Sequence, residues 1–192
     1  VSCKGLVIAS QFKSTNYQDI LMKIAPEIKG AENKVLKAER LPHLKYIIKI
    51  DEEEHTGLHR FSDLLTPPSK RQLNQLELVA SESQFDETIN IQFTSGTTGN
   101  PKGTMLTHNN ILNNGYFVGE AIHLSPADRV CISVPLFHCF GMVMGNLACI
   151  THGSTMVYPS AVFNPLETLK AIQQEKCTAA YGVPTMFIAI LE

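Results

Sequence analysis

The residues with the clearest chemical potential form the run TSGTTGNPKG, from Thr94 to Gly103. Its ten positions hold three glycines, four hydroxyl side chains, one proline and one lysine. Glycine lets the backbone approach a ligand closely and adopt a positive φ, and successive backbone N–H groups can then surround an anion. Hydroxyl groups add hydrogen bonds, and the ammonium group of Lys102 adds a positive charge. The run therefore predicts a loop that binds a chain of phosphate groups.

The spacing of these residues excludes two familiar phosphate-binding patterns. The P-loop, GxxxxGK(S/T), would start at Gly96 and require glycine where the chain has Pro101, and Ser or Thr where it has Gly103. The dinucleotide pattern GxGxxG also fails, because Gly96, Gly99 and Gly103 are spaced differently. The alternative without a ligand is a flexible surface loop rich in threonine and glycine. The elements predicted on either side of the run disfavour that alternative.

Regular alternation of strands and helices is predicted to position this loop. The loop follows an apolar strand, Ile89 to Phe93, and precedes a helix from about Asn109 to Ile122. Further strands are predicted at Arg129 to Val134, Ser154 to Tyr158 and Thr178 to Tyr181, and further helices at Val143 to Ile150, at Pro165 to Glu175 and from Pro184. Such alternation implies parallel pairing through right-handed crossovers. The predicted fold class is therefore α/β, doubly wound, with mostly parallel sheets and flanking helices.

The first part of the chain is less regular. Strands are predicted at Gly5 to Ala9 and Tyr46 to Ile50, with a helix between them that Asn16 caps. Two helical segments, Phe61 to Leu65 and Ser69 to Ser81, follow. The acidic run Asp51 to Glu54 favours a solvated turn over a metal site. We expect residues 1–88 to be the end of a first α/β subdomain and a connection, and residues 89–192 to form the subdomain that carries the phosphate loop.

Composition limits the functions open to the chain. Of its 192 residues, 44% are hydrophobic and 18% are charged, which is typical of a globular protein. The formal net charge of −2 provides no field that would attract nucleic acid. No run of about 18 apolar residues predicts a transmembrane segment. The five cysteines include no CxxC pair, so we expect free thiols in a reducing compartment and no metal site.

At these residues the chain resembles the adenylate-forming enzymes, which include acyl-CoA synthetases, luciferases and the adenylation domains of peptide synthetases. Their phosphate loop reads (S/T)-S-G-(S/T)-(S/T)-G-x-P-K-G, and this chain matches every fixed position. The resemblance continues in order through THNNILNN at Thr107 to Asn114, PLFHCFG at Pro135 to Gly141 and YGVPTMF at Tyr181 to Phe187. In the identity and the spacing of its motif residues, the chain is most similar to the medium-chain fatty acid–CoA ligases of mitochondria.

The resemblance implies a reaction in two steps. A carboxylate first displaces pyrophosphate from ATP to form an acyl-adenylate, and the acyl group then passes to the thiol of coenzyme A. The implied cofactors are ATP, Mg²⁺ and coenzyme A, and the implied substrate is a fatty acid. The ATP contacts carried over from the family are Thr94, Ser95, Gly96, Thr97, Thr98, Gly99, Asn100, Pro101 and Lys102. Among them, Lys102 and Thr97 are expected to act directly on the reacting phosphates.

The resemblance also implies a pocket for the acyl carboxylate. Its expected residues are Phe137, His138, Gly141 and Gly182, and His138 is the third catalytic candidate. A fatty acid is already ionised at neutral pH, so positioning or gating suits His138 better than a role as general base. The alternative is a structural histidine that stacks between Phe137 and Phe140. Met142 and Met144 could contact an acyl chain or belong to the core.

Several elements of the family are not found among these 192 residues. They include a Tyr-Gly-x-Thr-Glu element for adenine and Mg²⁺, the ribose-binding aspartate and the small C-terminal domain. We therefore expect a segment of a longer enzyme that works with the rest of its own chain and is inactive alone. Adenylation of an aromatic acid or an amino acid, and a non-catalytic nucleotide-binding remnant, are the alternatives. The resemblance implies the mitochondrial matrix, with the cytoplasm as the alternative.

Overall fold

The chain divides into two compact units: the first ends at Val79, and the second begins at Ala80. The computed structural model describes residues 2–95 and 99–192. The predictions made for Gly96, Thr97 and Thr98 therefore lie outside the described residues.

The first unit is built on a parallel sheet of three strands in the order β1, β4, β5. Its strands are β1 (Gly5–Ile8), β2 (Gln11–Phe12), β3 (Thr15–Asn16), β4 (Tyr46–Lys49) and β5 (His59–Arg60). Its helices are α1 (Tyr17–Ile24) and short 3-10 helices at Pro26–Gly30, Glu32–Lys34 and Phe61–Leu64. Helix α2 (Lys70–Glu82) follows. Asn16 caps α1 as predicted, since its side chain accepts a hydrogen bond from the Asp19 N–H at 3.0 Å.

The second unit contains another parallel sheet of three strands, in the order β10, β8, β9. Its strands are β6 (Thr88–Thr94), β7 (Lys102–Thr107), β8 (Arg129–Ile132), β9 (Thr155–Val157) and β10 (Ala179–Tyr181). Its helices are α3 (His108–Ala121), a π-helix (Phe140–Leu147), α4 (Ala148–His152), α5 (Pro165–Gln174) and α6 (Pro184–Leu191). The parallel sheets and their helices confirm the predicted α/β class.

Local signals explain where several of these helices begin. Thr107 and Asn110 form a capping box at the start of α3, each side chain bonding the backbone N–H of the other. Asn164 caps α5 with its side chain, and Pro165 occupies the first turn. Pro184 opens α6, as predicted. These caps fix where the chain leaves each loop and enters a helix.

One element differs from the sequence prediction. The segment after the phosphate run was expected to lead directly into a helix, but Lys102–Thr107 forms strand β7, which pairs antiparallel with β6. The expectation of a strand, loop and helix was therefore wrong at this point. The run from Thr94 to Lys102 is the loop of a β-hairpin, and the helix starts only after the hairpin closes at the pair Thr88 and Thr107.

Two glycines of α3 bring that helix close to the π-helix and α4. A Cβ atom on Gly115 would lie 2.7 Å from the Leu147 Cβ, and one on Gly119 would lie 2.3 Å from the His152 ring. The His152 ring also stacks on Tyr116 at a centroid distance of 5.4 Å. This contact sets the position of the π-helix, which begins at Phe140, within the PLFHCFG stretch.

Candidate functional site

The hairpin of β6 and β7 holds the two ends of the phosphate run next to each other. Thr94 pairs with Lys102, and Phe93 pairs with Gly103. The described residues between the strands, Ser95 and 99–101, are all exposed. Lys102 is exposed too, and its side chain forms no hydrogen bond or ion pair with any other described residue. The hairpin therefore presents, at the base of its loop, the Lys102 ammonium group, which has no partner among the described residues.

Gly99 has a backbone conformation that glycine adopts at little cost. Its φ is +86°, in the region that side chains disfavour, and an added Cβ would meet no atom within 4 Å. The restriction at this position is therefore conformational and leaves the space above the backbone open. Space beside a backbone of this shape is what a bound phosphate requires.

Gly99→Val provides the first prediction. A β-branched residue at this φ costs about 1–3 kcal/mol in the native loop conformation, but the backbone at Gly99 can relax because no atom of the described residues lies within 4 Å of an added Cβ. We expect the complete protein to keep its thermal stability within about 1 kcal/mol and to lose at least about tenfold in ATP affinity. Isothermal titration with ATP, alongside thermal denaturation, measures both. Gly30→Ala, at a glycine with open space and no positive φ, is the control, and ATP affinity unchanged by Gly99→Val would contradict phosphate binding by this loop.

The turn that carries His138 is closed by its own hydrogen bonds. The His138 N–H donates to the Pro135 carbonyl at 3.2 Å, and its carbonyl accepts from the Met142 N–H at 3.0 Å. The ring nitrogen Nδ1 accepts from the Phe140 N–H at 3.1 Å. An acceptor at Nδ1 places the proton of the neutral ring on Nε2, which is then a hydrogen-bond donor. The turn thus fixes one tautomer of an exposed histidine.

The structural alternative for His138 finds little support in this geometry. Phe137 is 79% exposed, and the Phe140 ring packs at right angles on Tyr181, with centroids 5.4 Å apart. Within residues 2–95 and 99–192, no ring contact joins His138 to either phenylalanine. The Cys139 Sγ lies 3.7 Å from the His138 Nδ1.

Two of the predicted pocket segments meet at one edge of the sheet. The His138 turn follows β8, and Gly182 follows the neighbouring strand β10. The Ser133 hydroxyl donates to the Tyr181 carbonyl at 3.2 Å and ties the two strand ends together. The carboxyl ends of parallel strands are where open α/β sheets bind ligands. The structure therefore brings His138 and Gly182 to the same edge.

The two pocket glycines differ in what surrounds them. A Cβ on Gly141 would lie 2.5 Å from the Pro135 carbonyl oxygen, so the turn folds directly onto this residue. A Cβ on Gly182 would meet only the Phe187 ring at 3.2 Å and the Met186 side chain at 3.5 Å. Gly141 is therefore required by the backbone of the turn, whereas Gly182 adjoins side chains that can move.

Tyr181 precedes Gly182 and was not singled out as a site residue from the sequence. Burial raises the pKa of its phenol, so the group stays neutral at physiological pH. Its hydroxyl is buried and has no hydrogen-bond partner among the described residues. The signal for it was its place at the start of the YGVPTMF stretch.

A second missed feature links the hairpin to the π-helix. The half-buried amides of Asn90 and Gln92 donate to the Met142 sulfur at 3.9 and 4.0 Å. The alternating apolar residues of β6 are more exposed, with Ile91 at 39% and Phe93 at 60%. The strand therefore turns its polar face toward the π-helix.

The first unit holds a separate cluster of ionisable groups, Asp51, Glu53 and His55. The buried ammonium group of Lys49 lies 2.7 Å from Asp51 and 3.9 Å from Glu53. Burial acts to raise the pKa of Asp51, but hydrogen bonds from Lys49 and Ser10 outweigh it and hold that pKa below its usual range. Lys49 already supplies these carboxylates with the positive charge that a metal ion would bring.

None of the helices formed by the described parts of the chain combines the length and apolar character needed to cross a bilayer. This finding concerns helices alone.

Comparison with known proteins gives matches along nearly all of the chain. The family model described as AMP-binding enzyme matches residues 6–192. The protein YngI of Bacillus subtilis (strain 168) is 43% identical over 187 residues, which cover 97% of this chain and 34% of that protein. The mitochondrial medium-chain acyl-CoA ligase ACSF2 of Homo sapiens is 41% identical over 196 residues, covering 100% of this chain and 32% of the relative. The chain thus spans about a third of the length of these relatives.

Solved structures show the same similarity in three dimensions. ATP-bound MatB from Rhodopseudomonas palustris has 27% sequence identity and a TM-score of 0.52, over 58% of this chain and 22% of that chain. The anthranilate CoA ligase AuaEII, in complex with anthranoyl-AMP, has 23% identity and a TM-score of 0.70, over 98% of this chain and 32% of that chain. The second of these likenesses concerns the fold alone.

Proposed function

Because the chain belongs to the family of AMP-binding enzymes, we propose that the complete protein activates a medium-chain fatty acid with ATP and transfers it to coenzyme A. Similarity to ACSF2, which is named a medium-chain acyl-CoA ligase, supports this substrate class. The observation that carries the proposal is the hairpin loop from Thr94 to Lys102, with its positive-φ glycine and its uncommitted lysine.

The first step of the proposed reaction makes an acyl-adenylate. A carboxylate oxygen bonds to the α-phosphorus of ATP, and the bond from that phosphorus to the bridging oxygen of pyrophosphate breaks. The electron pair leaves with pyrophosphate, so negative charge grows on the departing group. Hydroxyl groups and an ammonium group held close to that charge lower the barrier. Ser95 and Lys102 supply such groups among the described residues, and Thr97 and Thr98 supply them in the rest of the loop.

Mg²⁺, when bound with ATP, neutralises phosphate charge and orients the chain of phosphates. The described residues of the loop offer hydroxyl and amide oxygens and no carboxylate. Mg²⁺ usually keeps several waters and binds through substrate phosphates with one or two carboxylates. The loop therefore suits the phosphates themselves, and Mg²⁺ ligands from this segment are not part of the proposal.

The second step passes the acyl group to coenzyme A. The thiol sulfur bonds to the acyl carbonyl carbon, AMP leaves with the electron pair of the broken carbon–oxygen bond, and the thiol proton is released. His138 contributes by positioning: its Nε2–H, fixed by the acceptor role of Nδ1, donates to an oxygen of the acyl group. Phe137, Gly141 and Gly182 complete the proposed acyl end of the pocket.

A series of acids tests the proposal most simply. The complete protein is assayed for acid-dependent exchange between ATP and labelled pyrophosphate, with short-, medium- and long-chain fatty acids, benzoic acid and amino acids. We expect kcat/KM to peak at medium chain length, with aromatic and amino acids at least about tenfold lower, since each misplaced methylene costs about 1–3 kcal/mol in an apolar pocket. If kcat/KM were instead highest with benzoic acid or an amino acid, that acid would be the substrate in place of a fatty acid.

A nucleotide-binding protein without catalysis is the second candidate. It would bind ATP yet show no exchange with any acid. We propose the mitochondrial matrix as the compartment, because the names of the vertebrate relatives include the word "mitochondrial". The cytoplasm is the alternative, because the chain is also similar to YngI, a bacterial protein.

A further inference from the structure

The contact between β6 and Met142 lies on a direct path between the two halves of the proposed site. Asn90 and Gln92 stand on one face of β6, because side chains two positions apart point the same way. Both amides donate to a single sulfur, at 3.9 and 4.0 Å. Gln92 is two residues from Thr94, where the phosphate loop begins. The two amides therefore lie on the strand that leads directly into the loop.

From Met142 the path continues into the His138 turn. The Met142 N–H donates to the His138 carbonyl at 3.0 Å, and the His138 N–H donates to the Pro135 carbonyl at 3.2 Å. The Phe140 N–H to Nδ1 bond closes the same turn at 3.1 Å. Because Gly141 packs on the Pro135 carbonyl, the turn has little freedom of its own. Met142 and His138 therefore belong to one turn that backbone hydrogen bonds hold together.

The contact also leaves one polar atom of Asn90 unsatisfied. The side-chain amide oxygen of Asn90, Oδ1, is buried and has no hydrogen-bond partner among the described residues. An unpaired buried acceptor costs free energy, and a sulfur is a weak acceptor for an amide. An arrangement that satisfied the Asn90 oxygen would compete with the present one. Two arrangements of similar free energy are what a coupling element requires.

We propose that Met142, held by Asn90 and Gln92, is a positioning residue that couples ATP binding at the phosphate loop to the placement of the fatty acid at His138. This inference rests on the proposed function, since it needs both substrates to bind in this unit. Its consequence is reciprocal: ATP strengthens fatty acid binding, and the fatty acid strengthens ATP binding by the same factor.

The test compares two methionines of the same π-helix in the complete protein. Met142→Leu removes the sulfur acceptor and keeps most of the volume, and Met144→Leu makes the same change at a residue that the two amides do not bond. Isothermal titration with an ATP analogue whose α,β-bridge cannot break gives the Kd for the nucleotide without and with saturating fatty acid, and their ratio is the coupling factor. Pyrophosphate exchange gives the KM for ATP at low fatty acid. Thermal denaturation checks that both variants fold.

We expect the wild-type protein and Met144→Leu to share a coupling factor of at least about fivefold. Met142→Leu should lower it to below about twofold, with the KM for ATP at low fatty acid nearly unchanged. Asn90→Ala combined with Gln92→Ala should lower it equally, and adding Met142→Leu to that pair should lower it no further. If pyrophosphate exchange persists, equal coupling in Met142→Leu and the wild type, or no coupling in the wild type, would overturn the inference. Absence of exchange with any acid would instead remove the proposed function.

Discussion

Replacing Lys102 with alanine is expected to lower acid-dependent ATP–pyrophosphate exchange by the complete protein by about 10²–10³-fold. Lys102 is exposed at the base of the hairpin loop, paired through the backbone with Thr94. In the proposed reaction its ammonium group meets the negative charge that grows on pyrophosphate as it departs. The additional charge develops only as the bond breaks, so the loss should fall on kcat more than on the KM for ATP. Steady-state exchange at varied ATP separates the two.

Two controls define what the Lys102 result means. Lys102→Arg keeps the charge and should retain more activity than Lys102→Ala, although a guanidinium group does not replace an ammonium group exactly. Lys170→Ala removes a lysine of the same unit that forms only a surface ion pair with Glu167, at 2.9 Å, and should leave exchange unchanged. Full exchange in Lys102→Ala would remove this residue from the mechanism.

Gly141→Ala is expected to disrupt the His138 turn. The added Cβ would lie 2.5 Å from the Pro135 carbonyl oxygen and 2.8 Å from its carbon. Both atoms belong to the backbone, so no side chain can rotate away and the turn itself must open. We expect a loss of about 1–3 kcal/mol in the free energy of unfolding. Activity should fall further than stability accounts for, because the hydrogen bonds that place His138 belong to the same turn.

The matched control lies one turn along the same helix. Gly145 is also buried, but a Cβ there would meet the Ile132 side chain at 3.1 Å, and that side chain can adjust. Gly145→Ala should therefore cost less stability than Gly141→Ala and leave the KM for the fatty acid close to that of the wild type. Denaturant titration and the exchange assay measure the two quantities. Equal behaviour of the two variants would show that the turn does not depend on Gly141.

Much of the order of elements could be predicted, because local signals specify it. Capping by Asn16 and the start of α6 at Pro184 follow from side chains close to the helix ends. Strand β7 was missed for a physical reason. Its sequence, KGTMLT, carries no turn signal before the next helix, and its strand state depends on pairing with β6 across the loop.

The candidate site, too, could be predicted from the sequence only in part. The need for glycine at Gly99 follows from the motif, and the structure adds its φ of +86°. The face of β6 that packs inward could not be read from the sequence. Asn90 and Gln92 alternate with Ile89 and Ile91, and without a known partner surface the apolar face is the expected one to bury. The contact with Met142 joins residues 50 or more positions apart, which no local pattern encodes.

The central claim is that the loop from Thr94 to Lys102 holds ATP so that a fatty acid can attack its α-phosphorus. The most direct measurement is mass spectrometry of the products that the complete protein makes from ATP and a medium-chain fatty acid without coenzyme A. We expect acyl-adenylate and pyrophosphate, with acyl-adenylate strongly reduced in Lys102→Ala. Formation of ADP and phosphate, or bound ATP that stays intact with every acid, would contradict it.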